Sequence, residues 1–226
     1  MITERQSDLI NPVSVNITQK ATVKKNSAEQ EAIDFIAEEQ HYRSSVYKML
    51  AGLMRTAPDK STLDNISVFS SIEQQEDELV LAMSMLGVSA TAIDVDAVDD
   101  EFHALFIGLG RGELMPYASW YLTGFLMERP LSALRDELAV LGFERNDNVH
   151  EPEDHIAALC EVMAMMIDEG SSINQQEKFF SAHISSWQDY FYKDLSQAES
   201  SVFYRSVGRF GQAFSAFEKK YLAMPV

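Results

Sequence analysis

The chain is poor in the residues that stiffen small secreted folds or break helices. Cys160 is the only cysteine among 226 residues, so an intrachain disulfide or a cysteine-based zinc site is excluded. Glycine and proline number 10 and 6, and that scarcity argues against a turn-rich β protein. Basic residues are also few: 18 Lys and Arg stand against 35 Asp and Glu, a net charge of −17. A phosphate-binding surface needs clustered cations, so nucleic acid and anionic membrane make poor partners, whereas a cationic peptide or protein suits the balance. No apolar run approaches the roughly 18 residues needed to span a bilayer. The first residues carry neither an apolar secretory core nor an adjacent arginine pair, so the cytoplasm is the expected compartment.

What is abundant is helix-forming sequence. Residues 1–27 are polar, hold four basic and two acidic residues, and read as a flexible tail. From Ser27, with Gln30 as its capping-box partner, apolar residues recur at helical spacing (Ile33, Ile36, Tyr47, Leu50, Leu53, Met54) until Pro58. Further helices are expected over about 73–86, 90–107, 116–127, 130–141, 153–169, 174–184, 186–197 and 200–222. Their breaks fall at Gly87, the 108–112 glycines, Pro130, Gly142 and Gly170. No segment alternates strictly enough to be a strand. The reading is an all-α, multi-helix bundle in two helical parts, 28–141 and 153–226, joined by a polar hinge over 142–152.

Two stretches carry the candidate chemistry. In "HEPEDH" (150–155), Pro152 suits the first position of a helix, and Glu153 and Asp154 suit its first turn. Helix grammar leaves His155 unexplained, on the flank of the apolar stripe that begins at Ile156. In "EFHALFIGLGRGELMPYASWY" (101–121), Phe102, Leu105 and Phe106 share one helix face, and Tyr117, Trp120 and Tyr121 share another. Rings with polar handles favour a partly wet surface, such as a groove for an apolar, basic helix.

Catalytic readings are thin. His150 and His155 do not share a helix face as an HExxH pair would. A di-iron bundle needs two Glu-x-x-His motifs, and only "EEQH" (Glu38 to His41) matches, with "DEFH" (Asp100 to His103) a carboxylate variant. There is no Gly-x-Ser-x-Gly elbow, Cys160 lies within an apolar stripe, and "GLGRG" (108–112) lacks nucleotide-loop spacing. No cofactor is expected from these residues.

Taken together, "EFHALFIGLG" (101–110), "PYASWY" (116–121), "EPEDH" (151–155) and the set Phe180, His183, Trp187 and Phe191 resemble the TorD/DmsD family. These are cytoplasmic chaperones for molybdenum-cofactor oxidoreductases exported by the twin-arginine route. The resemblance implies an all-helical fold, no catalysis, and binding of the partner's twin-arginine leader, and often its body, until the cofactor is inserted. It implies a leader site at Phe102, Leu105, Phe106, Tyr117, Trp120, Tyr121, Glu151, Asp154 and His155, and a monomer or a homodimer exchanged through the hinge. The apolar part of the leader would lie on the aromatic residues, and its arginines would meet Asp154. On this view Asp154→Ala and His155→Ala weaken leader binding while melting stays largely intact. A metal-dependent helical-bundle oxidoreductase and a generic helical interaction module are the alternatives. The sequence leaves open which molybdoenzyme is served.

Overall fold

The computed structural model describes residues 37–73, 76–146 and 149–224, which fall in two units, 1–42 and 43–226. The expected tail over 1–27, the Ser27 cap, Ile33 and Ile36 lie outside the described residues. In the first unit, residues 37–42 are helical.

The second unit is all-α. Its elements are α1 (43–55), α2 (Lys60–Ser67) with a 3-10 turn (Val68–Ser71), α3 (Glu78–Ala92) and α4 (Val95–Phe102) with a π turn (His103–Ile107). They continue with α5 (Ala118–Thr123), α6 (Arg129–Leu141), α7 (Ile156–Asp168), α8 (Ile173–His183), α9 (Gln188–Gln197) and α10 (Phe203–Leu222). Among the described residues there is no strand, only one isolated antiparallel bridge between Tyr117 and His155.

Local chemistry sets most boundaries. Asp77 accepts hydrogen bonds from the Leu79 and Val80 amides to start α3, Asp94 accepts from Ala97 to start α4, and Ser172 and Gln175 form a reciprocal capping box on α8. Gly124 and Gly142 end α5 and α6 in the left-handed region, with φ of 82° and 80°.

Two expectations about elements need correction, and one helix lies where none was expected. Helix α2 was unforeseen because "KSTLDNIS" is dominated by residues that compete with helical hydrogen bonding. It forms because Asp59 caps Thr62 N–H at 2.8 Å and because Leu63 and Ile66 are buried. Gly87 does not break the chain. It sits inside α3, where a Cβ would lie 2.2 Å from the Ser70 nitrogen, so it is the notch that admits the Phe69–Ser70 backbone. Finally, Pro152, Glu153 and Asp154 do not open α7. They form a turn in which His155 N–H donates to the Pro152 carbonyl at 3.1 Å, and α7 starts at Ile156.

One hydrophobic cluster runs through the second unit from Tyr47 to Leu222. Helix α7 lies deep within it, with nine of its 13 residues buried, which accounts for its nearly uninterrupted apolar sequence. Helix α10 packs on α9, α3, α4 and α8. Its approach to α9 requires Gly208, where a Cβ would fall 2.6 Å from the Ser196 nitrogen and 2.7 Å from the Tyr192 carbonyl oxygen. No single described helix is long and apolar enough to cross a membrane. Only the pair Glu78–Ala92 and Val95–Ile107, bent by 115°, passes that measure together.

Candidate functional site

The EPEDH turn is built by pairing with the chain just before α5. Ala118 N–H donates to the Asp154 carbonyl at 2.9 Å, and Ile156 N–H donates to the Pro116 carbonyl at 2.8 Å, which sets Tyr117 opposite His155. The two rings meet edge to face at 5.0 Å, and the Tyr117 hydroxyl donates to Glu151. Burial and that carboxylate together push the Tyr117 phenol well above its ordinary pKa.

His155 caps α7, a role that helix spacing alone did not reveal. Its Nδ1 accepts the Ala157 amide at 3.0 Å, so the ring serves as a neutral acceptor at the helix start. It is only 6% exposed, and burial, reinforced by the nearby Arg55 cation, lowers its pKa to about 3. Asp154 is 1% exposed. Its Oδ2 accepts the Ser119 amide at 2.8 Å, while Oδ1 is buried with no hydrogen-bond partner among the described residues. Neither residue is the surface group expected from the sequence. Both hold the α5–α7 junction, so removing either is expected to lower the melting temperature as well.

The acids of this turn face two ways. Glu151 and Glu153 border a pocket of about 210 Å³ with Arg55, Glu161, Phe143 and Met165. Burial alone would raise Glu153, but Arg135 at 2.8 Å and Arg145 at 3.7 Å hold it below the usual carboxylate range. Asp154 lines a larger pocket of about 560 Å³, bounded by α5, α6 and the end of α8. Glu137 and His183 meet on its wall at 2.6 Å.

The aromatic candidates divide between two neighbourhoods. Phe102 is 8% and Leu105 0% exposed; both are core residues, and with half-buried Phe106 they pack against α10, where Tyr204 contacts both phenylalanine rings. A π turn follows Phe102, and the chain after the 108–112 loop folds back on it through Leu114 N–H to the Leu105 carbonyl at 2.8 Å. Tyr121 and Trp120 are half-buried. Tyr121 packs on Trp187 and Phe191 and donates to Asp194 at 3.0 Å, while the Arg111 guanidinium lies over the Trp120 ring at 5.2 Å. Tyr117 therefore links Glu151 and His155 beside Asp154, whereas the Phe102 and Phe106 rings meet Tyr204 of α10.

Glu137, Arg55 and Ser119 were not singled out by sequence. The one available signal for Glu137 was its helical spacing with Pro130, Ala133 and Leu134, which puts all four on the pocket wall. Among the described residues, no three His, Cys, Asp or Glu side chains group so as to hold a metal ion.

A family model described as nitrate reductase delta subunit matches residues 70–193. The chain belongs to this TorD-like family. Chaperone protein TorD of Vibrio parahaemolyticus is 27% identical over 175 residues, covering 72% of this chain and 80% of the relative. Chaperone protein TorD of Aliivibrio salmonicida is 24% identical over 203 residues, covering 80% and 94%. A putative redox enzyme maturation protein from Archaeoglobus fulgidus shares the fold, with a TM-score of 0.50 and 20% identity over 76% of this chain and 92% of that one. The family is one of maturation chaperones rather than catalysts, and the match spans both stretches picked out above.

Proposed function

We propose that this TorD-family chain is a cytoplasmic chaperone that binds the twin-arginine leader, and the body, of a molybdenum-cofactor oxidoreductase subunit. It assists cofactor insertion and delays export. Asp154 carries the reading: a buried carboxylate with one oxygen unpartnered, on the wall of a pocket with room for a side chain. An unpaired buried acceptor is costly, and a guanidinium satisfies it with charge-assisted hydrogen bonds. The half-buried rings of Phe106, Tyr117, Trp120 and Tyr121 supply apolar surface, backed by Phe102 and Leu105. Glu151 acts through Tyr117, and His155 positions Asp154. The net charge of −17 speeds encounter with a basic leader in a salt-dependent way. The chain works as a monomer or as a homodimer exchanged through 142–152.

The test is a titration of the full chain with a leader peptide and with a scrambled peptide of the same composition. Saturable binding of the leader alone, weakened by added salt, is expected. Equal binding of both peptides would leave a generic helical interaction module. Capture from native extract followed by mass spectrometry would identify the client.

A further inference from the structure

The α5–α6 turn combines features that its fold does not require. Leu122, Phe125, Leu126 and Met127 are all exposed, Phe125 by 69% and Met127 by 73%. Met127 has φ of 58°, and it is the one non-glycine residue with positive φ among those described. A bulky side chain in the left-handed region is strained, and such strain tends to collect where a surface is held for use. The turn is nonetheless firmly built. Phe125 N–H donates to the Thr123 hydroxyl, that hydroxyl donates to the Ser119 carbonyl, and Glu128 N–H donates to the Ser119 hydroxyl. The residue that anchors this apolar turn is thus the same Ser119 whose amide holds Asp154.

Leu122 and Thr123 on one side of the turn and Arg129 on the other line the 560 Å³ pocket, so the exposed turn borders the cavity whose wall includes Asp154. Two carboxylates, Asp154 and Glu137, and one cation, Arg129, line it as well. Glu137 is bound to His183, whose side chain is 9% exposed against 35% for Glu137. The glutamate is therefore the more accessible member of the pair.

We propose that the pocket and the 122–127 lip form one docking surface for an arginine flanked by large apolar residues in the client segment. Glu137 is its second anion and its specificity-determining residue. This rests on the leader-binding reading and adds residues to it. The arginine takes over the Glu137 oxygen now bound to His183, and it reaches the buried Asp154 oxygen as the pocket wall over that oxygen shifts. A planar guanidinium can bridge two carboxylates, which an ammonium does less well. The apolar neighbours cover Phe125 and Met127, whose exposure is otherwise unfavourable.

The probe is a labelled synthetic peptide with two adjacent arginines ahead of a phenylalanine- and leucine-rich run, followed by fluorescence anisotropy on the full chain. A second probe carries two lysines in place of the arginines. Glu137→Gln should weaken the arginine probe roughly tenfold and leave the lysine probe nearly unchanged. Phe125→Ser and Met127→Gly should each weaken both probes severalfold without lowering the melting temperature. Asp136→Asn, on α6 but outside the pocket lining, should bind as wild type does. If Asp154→Asn abolishes binding while Glu137→Gln and Phe125→Ser bind both probes as tightly as wild type, this inference falls and the leader reading stands. If the wild-type chain binds neither probe, the leader reading falls and takes the inference with it.

Discussion

The region around α9 and α10 and the region around α5 and the EPEDH turn are made from similar residues and differ in how fully their buried carboxylates are satisfied among the described residues. On the α10 side, Glu101 is 6% exposed and accepts three amides, from Val202, Phe203 and Tyr204, at 2.7–2.9 Å. Glu113 accepts the Glu199 and Ser200 amides of the same loop, and these bonds hold it below the usual carboxylate range against the opposing effect of burial. Arg43 is buried with Glu218, Tyr47 and Gln176, every one of them hydrogen-bonded. On the α5 side a helix of six residues leads to an exposed apolar turn and a strained Met127, beside a carboxylate with an unpartnered oxygen. A charged group can be buried in either place. Where its partners are complete it belongs to the scaffold, and where one is missing it has capacity for a ligand.

Breaking the satisfied side should have the largest effect. Glu218→Ala leaves Arg43 buried without its carboxylate and should cost about 3–5 kcal/mol, measured by urea denaturation, with little specific change in peptide affinity for the fraction that folds. Next comes Gly208→Ala, which drives a methyl into the α9 backbone and should cost roughly 1–3 kcal/mol, seen as a lowered melting temperature. A loss below about 0.5 kcal/mol would show that the contact between α9 and α10 is loose.

The open side should respond through pH. His155 has a folded-state pKa of about 3 against an ordinary value of 6.5, so the unfolded chain takes up a proton that the folded chain refuses. Its contribution is intact above pH about 6.5 and is lost as pH falls toward 3, at up to about 1.4 kcal/mol per pH unit. His155→Asn keeps a capping acceptor and removes the titration, so its stability should fall less steeply than wild type across that window. Parallel profiles would mean that His155 is not the neutral cap described. The smallest effect should come from Met127→Gly, which relieves the left-handed backbone and should gain roughly 0.5–1 kcal/mol while weakening peptide binding. A variant that is more stable and binds less well separates the two regions most sharply.

Much of the helical frame was legible in the sequence. The periodicity of α7 and α10 and the stops at Gly142 and Gly170 depend on neighbours within one helical turn, and such neighbours can be read along the chain. The open side depends on distant partners. Asp154 looks like a first-turn helix acid until the Ser119 amide, 35 residues away, claims it. His155 looks like a rim residue until the bridge to Tyr117 buries it. Helical spacing puts Phe102, Leu105 and Phe106 on one face, but the π turn at 103–107 and the contact of Phe102 and Phe106 with Tyr204, about a hundred residues later, depend on partners beyond that spacing. Gly87 was misread for the same reason, since its notch serves the backbone of Phe69 and Ser70, which fold back on it from the preceding turn.

The two backbone hydrogen bonds that set Tyr117 opposite His155 also bear on assembly. They join residues on opposite sides of the 142–152 segment. Two copies trading everything beyond that segment would have to break this pair and the Ser119–Asp154 bond. They would also have to break the Arg43–Glu218 pair, the Glu101 bonds to Val202, Phe203 and Tyr204 and the shared core, and remake all of these between chains. The number of bonds would be the same in both forms, so protein concentration would set the balance. The interconversion rate would follow the opening of that whole interface, and the amide protons of Ala118 and Ile156 would exchange no faster by this route than the interface opens.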